Sequence, residues 1–177
     1  MINHLKKYLL ERCLNKHIVF RGKKIISLEK TNTMGILCHI TDEESYKNIH
    51  DLFSKLHSPK RTIRLMGYID QKEVPYFCLQ QLSADYFSKK HLNWYGKPKF
   101  IQLYDFINKD FDIIIDFSRN DLAPLRFILN TSKAKLIVGA NEFSQDMYDI
   151  YFKDEDNLNN LKLLKTIHNY LLKLTGG

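Results

Sequence analysis

Residues Asp110 to Gly139 read DFDIIIDFSRNDLAPLRFILNTSKAKLIVG: an apolar run, a polar turn, a helix-like decade and a second apolar run. Ile113, Ile114 and Ile115 are β-branched and flanked by Asp112 and Asp116. A short, continuous apolar run of this kind suits a strand covered on both faces, as in a parallel sheet. Ser118-Arg119-Asn120-Asp121 offers N-cap residues, and Pro124 sits early in the helix, where its missing N–H costs little. Leu122, Leu125, Phe127, Ile128 and Leu129 give the helix an apolar face, and Leu136-Ile137-Val138 forms the next strand, ended by Gly139. Strand, turn, helix, strand is a parallel crossover unit, and such units are right-handed in almost every case. The fold class is α/β.

Residues 35–69 repeat the pattern. Gly35 to Ile40 is a strand, Thr41 or Asp42 caps a helix from Glu43 to Leu56, and Thr62 to Ile69 is a second strand. The turn between the first strand and its helix lacks the spaced glycines of a dinucleotide fingerprint. Glu43 and Glu44 there favour the helix dipole but repel a phosphate. A nucleotide phosphate site at this turn is therefore disfavoured.

The remaining segments are less regular. Residues 2–16 place Ile2, Leu5, Leu9, Leu10, Cys13 and Leu14 at helical spacing, with Lys6, Lys7, Arg12 and Lys16 opposite, which predicts a basic amphipathic helix. The helix either packs on the body with a solvated basic face or serves as an RNA-binding arm, a membrane-surface helix or a docking element for a partner; the lack of a Trp or Phe on it favours RNA over a membrane surface. His17–Phe20 and Ile25–Leu28 are strand-like pieces of a hairpin or an extended arm. Val74–Leu79 and Lys99–Leu103 read as short strands, the latter followed by a helical turn through Phe106. Tyr148–Phe152 reads as an edge strand, and Leu158–Leu174 as a closing helix burying Leu161, Leu164, Ile167, His168, Leu171 and Leu172. The expected architecture is a Rossmann-like three-layer sandwich of about five mostly parallel strands over residues 34–177, preceded by a basic helical arm at 1–33.

Composition limits the function classes. At 177 residues with 44% hydrophobic content and a mean hydropathy of −0.35, the chain is sized for one domain with a core. Its apolar runs fall short of the roughly 18 residues that span a bilayer, and its start is a charged segment rather than an apolar signal region, so a cytoplasmic protein is expected. Cys13, Cys38 and Cys78 fit no metal or redox spacing, and neither a metal nor a cofactor is expected. The net charge of +7 is uneven: residues 1–30 hold eight Lys or Arg against Glu11 and Glu29, and residues 47–99 hold ten against four acids. A one-sided excess of this kind attracts polyanions.

Asn93-Trp-Tyr-Gly-Lys-Pro98, Phe111-Asp-Ile-Ile-Ile-Asp116, Ser132-Lys-Ala-Lys135, Val138-Gly139 and Tyr148-Asp149 together resemble an uncharacterised domain family of Bacteroidetes over nearly the whole chain. That resemblance implies a bacterial, cytosolic protein and brings no activity with it. The shorter pattern Phe111–Phe117 with Ala134–Gly139 is similar to the N-terminal half of heptosyltransferase-type glycosyltransferases, which implies a Rossmann-like strand, helix and strand.

Two sites follow. The first is a polyanion surface, with RNA or the ribosome as the expected partner. It is built from Lys6, Lys7, Arg12, Arg21, Lys23, Lys24, Lys60, Arg61 and Lys97, with Trp94 as a platform for a base. The second lies beyond the carboxyl ends of the strands, where open α/β sheets bind ligands. There His39, Thr41, Asp42, Asp116, Ser118, Arg119 and Asn120 would meet, with His39 and Asp116 as an acid/base pair and Arg119 holding an anion. The first site means a non-catalytic binder. The second means an enzyme acting on a small anion or nucleotide sugar. A protein–protein interaction domain is the third reading, and an additional partner or a homo-oligomer fits it.

Overall fold

The computed structural model describes residues 2–79, 81–153 and 159–176, with side chains from His4 onward. Its elements are α1 (Ile2–Lys16), β1 (Thr33–His39), α2 (Glu43–Leu56), β2 (Thr62–Ile69), β3 (Ala84–Ser88), α3 (Ile101–Ile107), β4 (Ile113–Asp116), α4 (Ala123–Thr131), β5 (Leu136–Gly139), β6 (Ile150–Tyr151) and α5 (Asn160–Leu174). The sheet runs β3-β2-β1-β4-β5-β6, and every neighbouring pair is parallel. The chain order reverses between β1 and β4, which pair from Met34↔Ile113 to Leu37↔Asp116. The class is α/β with a parallel sheet, as the crossover stretch required.

The sheet has six strands rather than the expected five. The unforeseen strand is β3, ADYFS, whose polar residues mask it in the sequence. All five of its residues are buried, because Asp85 meets Arg64 at 2.7 Å and the Ser88 hydroxyl donates to the Lys72 carbonyl at 3.1 Å. Residues 74–79 are not a strand but a turn region in which Cys78 N–H donates to the Pro75 carbonyl. Lys99–Leu103 is not a strand either. Leu103, Phe106 and Ile107 recur at helical spacing, and helix α3 buries all three. In α5 the buried residues are Leu163, Ile167 and Leu171, while Leu161 is exposed. Leu158, the expected start of that helix, lies outside the described residues.

Strand residues alternate between two cores. Met34, Ile36 and Cys38 of β1 face a layer with Ile49 and Leu52 of α2 and Ile167 and Leu171 of α5. Leu37 faces the opposite layer, which holds Leu14 of α1, Phe106 of α3 and Phe127 of α4. The arrangement is three layers, helices on both faces of the sheet, with α1 part of one face. Its Cys13 and Leu14 are buried, and Asn130 donates from Nδ2 to the Leu14 carbonyl at 3.3 Å.

Residues 17–27 form an extended strap rather than a hairpin, tied to the body by Val19 N–H on the Asn130 carbonyl and Lys24 N–H on the Lys135 carbonyl. Arg21 fastens it. The guanidinium grips both oxygens of Asp149, at 2.7 and 2.9 Å, and also donates to the Ala134 carbonyl. Bidentate pairing of this sort is strong and directional. Burial tends to raise the Asp149 carboxyl, but the hydrogen bonds from Arg21, Lys23 and the Ile137 N–H outweigh it and hold the group below the usual carboxylate range.

Candidate nucleic-acid interface

The strand pairing that the crevice requires is present. β1 and β4 are neighbours, and their carboxyl ends carry His39 and Asp116. The residues there bond to one another. His39 Nδ1 and Asn120 Oδ1 are 3.1 Å apart, and Asn141 Nδ2 donates both to the Ser118 hydroxyl at 3.1 Å and to the Asn120 carbonyl at 2.8 Å. Arg119 Nη1 lies 3.3 Å from the Phe117 and Ser118 carbonyls. Thr41 donates its hydroxyl to Asp42, which caps α2 through Ser45 in a reciprocal capping box.

Asp116 is fully buried. Tyr148 donates its hydroxyl to Oδ2 at 2.6 Å, and the Ser118 N–H donates to Oδ1 at 2.8 Å. Burial raises the carboxyl above its ordinary value and pushes the Tyr148 phenol up as well. His39 and Asp116, expected to work as a pair, thus have separate partners. The Tyr148 ring lies over Gly139, where an added Cβ would come within 2.6 Å of Cε1, so only glycine lets the ring reach Asp116. Asn141 and Tyr148 hold this end of the sheet together. Asn141 does not stand out in the sequence, and Tyr148 reads there only as the start of an edge strand, with nothing to point to Asp116.

The cations divide into two groups. Arg21 belongs to the strap, and Lys23, although exposed, pairs with Asp149 at 2.9 Å. Arg61 donates to the carbonyls of Leu28, Leu56 and Thr31, and burial lowers its pKa. Lys97 lies with Nζ 5.2 Å from the centroid of the Phe127 ring, a cation–π contact. These four are engaged in holding the fold. Lys6, Lys7, Arg12, Lys24 and Lys60 are exposed. Lys60 stands apart from the N-terminal group, at the turn between α2 and β2.

Trp94 is 58% exposed and sits on a turn that packs against α1. Asn93 Oδ1 accepts from the N–H groups of Tyr95 and Lys97, at 3.2 and 2.9 Å, and Gly96 N–H donates to the Asn93 carbonyl. Gly96 adopts φ +98°, a left-handed conformation that favours glycine. A Cβ there would lie 3.5 Å from Leu10 of α1. The turn and the basic helix, read separately in the sequence, meet where Gly96 abuts Leu10.

A parallel α/β domain with helices on both faces is the class that the fold defines. The model of the family of unknown function DUF6913 matches residues 3–174, and the chain belongs to that family. No curated protein and no solved structure matches it. Among the described residues no helix is long and apolar enough to cross a membrane, and no group of three His, Cys, Asp or Glu could hold a metal ion.

Proposed function

We propose that this protein binds a polyanion, RNA most directly, through the outer face of α1 on a Rossmann-like scaffold, in the bacterial cytosol. The observation that carries this reading is the exposed cationic surface of the helix. Lys6, Lys7, Arg12 and Lys16 are all exposed along it, and its one acid, Glu11, is turned to Arg126 at 3.1 Å. Phosphates neutralised by such side chains release counterions, which favours binding without any sequence motif. In contrast, the crevice at the strand ends has polar groups that already satisfy one another, which weighs against a small-anion or nucleotide-sugar enzyme.

The test is binding of a fluorescently labelled RNA strand to the full chain and to K6E/K7E/R12E, followed by anisotropy at about 50 and about 200 mM salt. Full-chain binding that weakens with salt and is lost in the variant supports the reading. Equal binding by both proteins sinks it. Truncation at Thr31 would be a poorer test, since it also removes Leu14 and Arg21 from the body.

A second reading has its own observation. α1 packs on the body through Cys13 and Leu14, while Leu5 near its start is 51% exposed; Ile18 and Phe20 of the strap are 68% and fully exposed, beside a cleft of about 400 Å³. An interaction with another protein or a second copy would use this strap. Sedimentation of the wild type against F20S checks it, with a mass unaffected by the substitution counting against self-association.

A further inference from the structure

We infer that the ligand is single-stranded nucleic acid, with one splayed base stacked on Trp94 and its flanking phosphates on Lys6 and Lys7. This rests on the polyanion reading and sharpens it. A charged helix alone would accept a duplex, a polyphosphate or a single strand alike. The indole changes that, because a base inside a duplex offers no free face to stack on, whereas an unpaired base does.

The turn is built to present the indole rather than let it roam. Leu92 bridges to Pro98, Lys99 N–H donates to the His91 carbonyl at 2.8 Å, and the Asn93 side chain ties down two backbone amides of the turn. Tyr95 is half-buried against the core layer that Leu10 and Phe100 also cover, and meets the Trp94 ring edge-on at 5.4 Å and 84°. An aromatic held this way loses little freedom when a base stacks on it.

The helix geometry selects the cations. Gly96 abuts Leu10, and residues three and four positions earlier share the same side of a helix. Those positions are Lys7 and Lys6, one helical turn from the Leu10 that Gly96 abuts. Arg12 and Lys16 lie roughly 160° and 120° around the axis from Leu10, at about 100° per residue, so they face away from the turn. Lys6 and Lys7 should therefore act together with Trp94, and Arg12 independently of it.

Trp94 is the only tryptophan, so its emission reports on its own surroundings. The full chain is titrated with a labelled RNA strand of about 12 nucleotides, a DNA strand of the same length, the RNA duplex, an abasic strand and anionic phospholipid vesicles, with anisotropy and indole emission both followed. The single strands should quench the indole, and the duplex and abasic strand should bind more weakly without quenching. Trp94→Ala should bind single strands roughly 10-fold more weakly, Trp94→Phe should keep most of the affinity, and K6A/K7A should be non-additive with Trp94→Ala while R12A adds independently. Binding to single and abasic strands with equal affinity and no quenching overturns the stacking and leaves polyanion binding standing. Binding to no strand at all removes both. An indole response to vesicles alone overturns this inference in favour of a lipid surface.

Discussion

The crevice at the carboxyl ends of β1 and β4 and the outer face of α1 are both rich in polar side chains, and they use them in opposite ways. In the crevice His39, Asn120, Ser118, Asn141, Asp116 and Tyr148 are hydrogen-bonded to one another, and Asp116 is wholly buried. On α1 the cations face water, and the turn beside them holds a tryptophan more than half exposed. A fold can therefore have a sheet whose strand ends would suit a ligand and still hold its free charge on an outer helix. The account predicts a clean division: interior substitutions change stability, and α1 substitutions change binding.

The largest effect falls on Asp149. Asp149→Ala leaves the Arg21 guanidinium, with about a tenth of its side chain exposed, without its bidentate partner. The expected loss is about 3 kcal/mol by urea denaturation. A loss below about 1 kcal/mol would mean that the strap is not fastened there. The pH dependence has a definite sign. The folded Asp149 carboxyl lies below the unfolded value of about 3.9, so its stabilisation is present above that pH and is lost as pH falls through the folded value. The wild type should thus lose stability on acidification more steeply than the variant. Asp116, whose value is raised, acts in the other direction: its stabilising share is full below about pH 3.9 and is lost as pH rises through its folded value.

Tyr148→Phe removes the hydroxyl that Asp116 Oδ2 accepts from, and should cost about 2 kcal/mol with RNA affinity unchanged. A large change in affinity with little change in stability would place function at the crevice and break the division. Replacing Lys6, Lys7 and Arg12 together by alanine should weaken binding by roughly tenfold or more. It should also lower the slope of log affinity against log salt by about 2, at about 0.7 per lost phosphate contact, with the urea midpoint unchanged. The smallest effect is expected at His39→Ala, whose bond to Asn120 is exposed; about 0.5 kcal/mol of stability and no affinity should be lost.

The legible parts of the sequence were those with local causes. Three isoleucines between two aspartates make β4, and Asp42, one of the two caps expected, starts α2. β3 was hidden because the partner of Asp85 is Arg64 on the next strand, which no periodicity reveals. The candidate site was legible in the same partial way. Arg21 and Lys6 look alike in the sequence, since nothing near Arg21 announces Asp149, 128 positions later. The closeness of the Trp94 turn to α1 rests on the Gly96–Leu10 contact, which is tertiary. Charge excess showed that cations were abundant, and only the fold separates those that hold it together from those left free.

The most direct test is amide chemical-shift mapping of the full chain titrated with a short single-stranded RNA. The account predicts perturbations gathered on residues 4–16 and 93–97, with the amides of His39, Ser118 and Asn120 unmoved. Perturbations centred on His39, Ser118 and Asn120 instead, or none at all at saturating RNA, would contradict it.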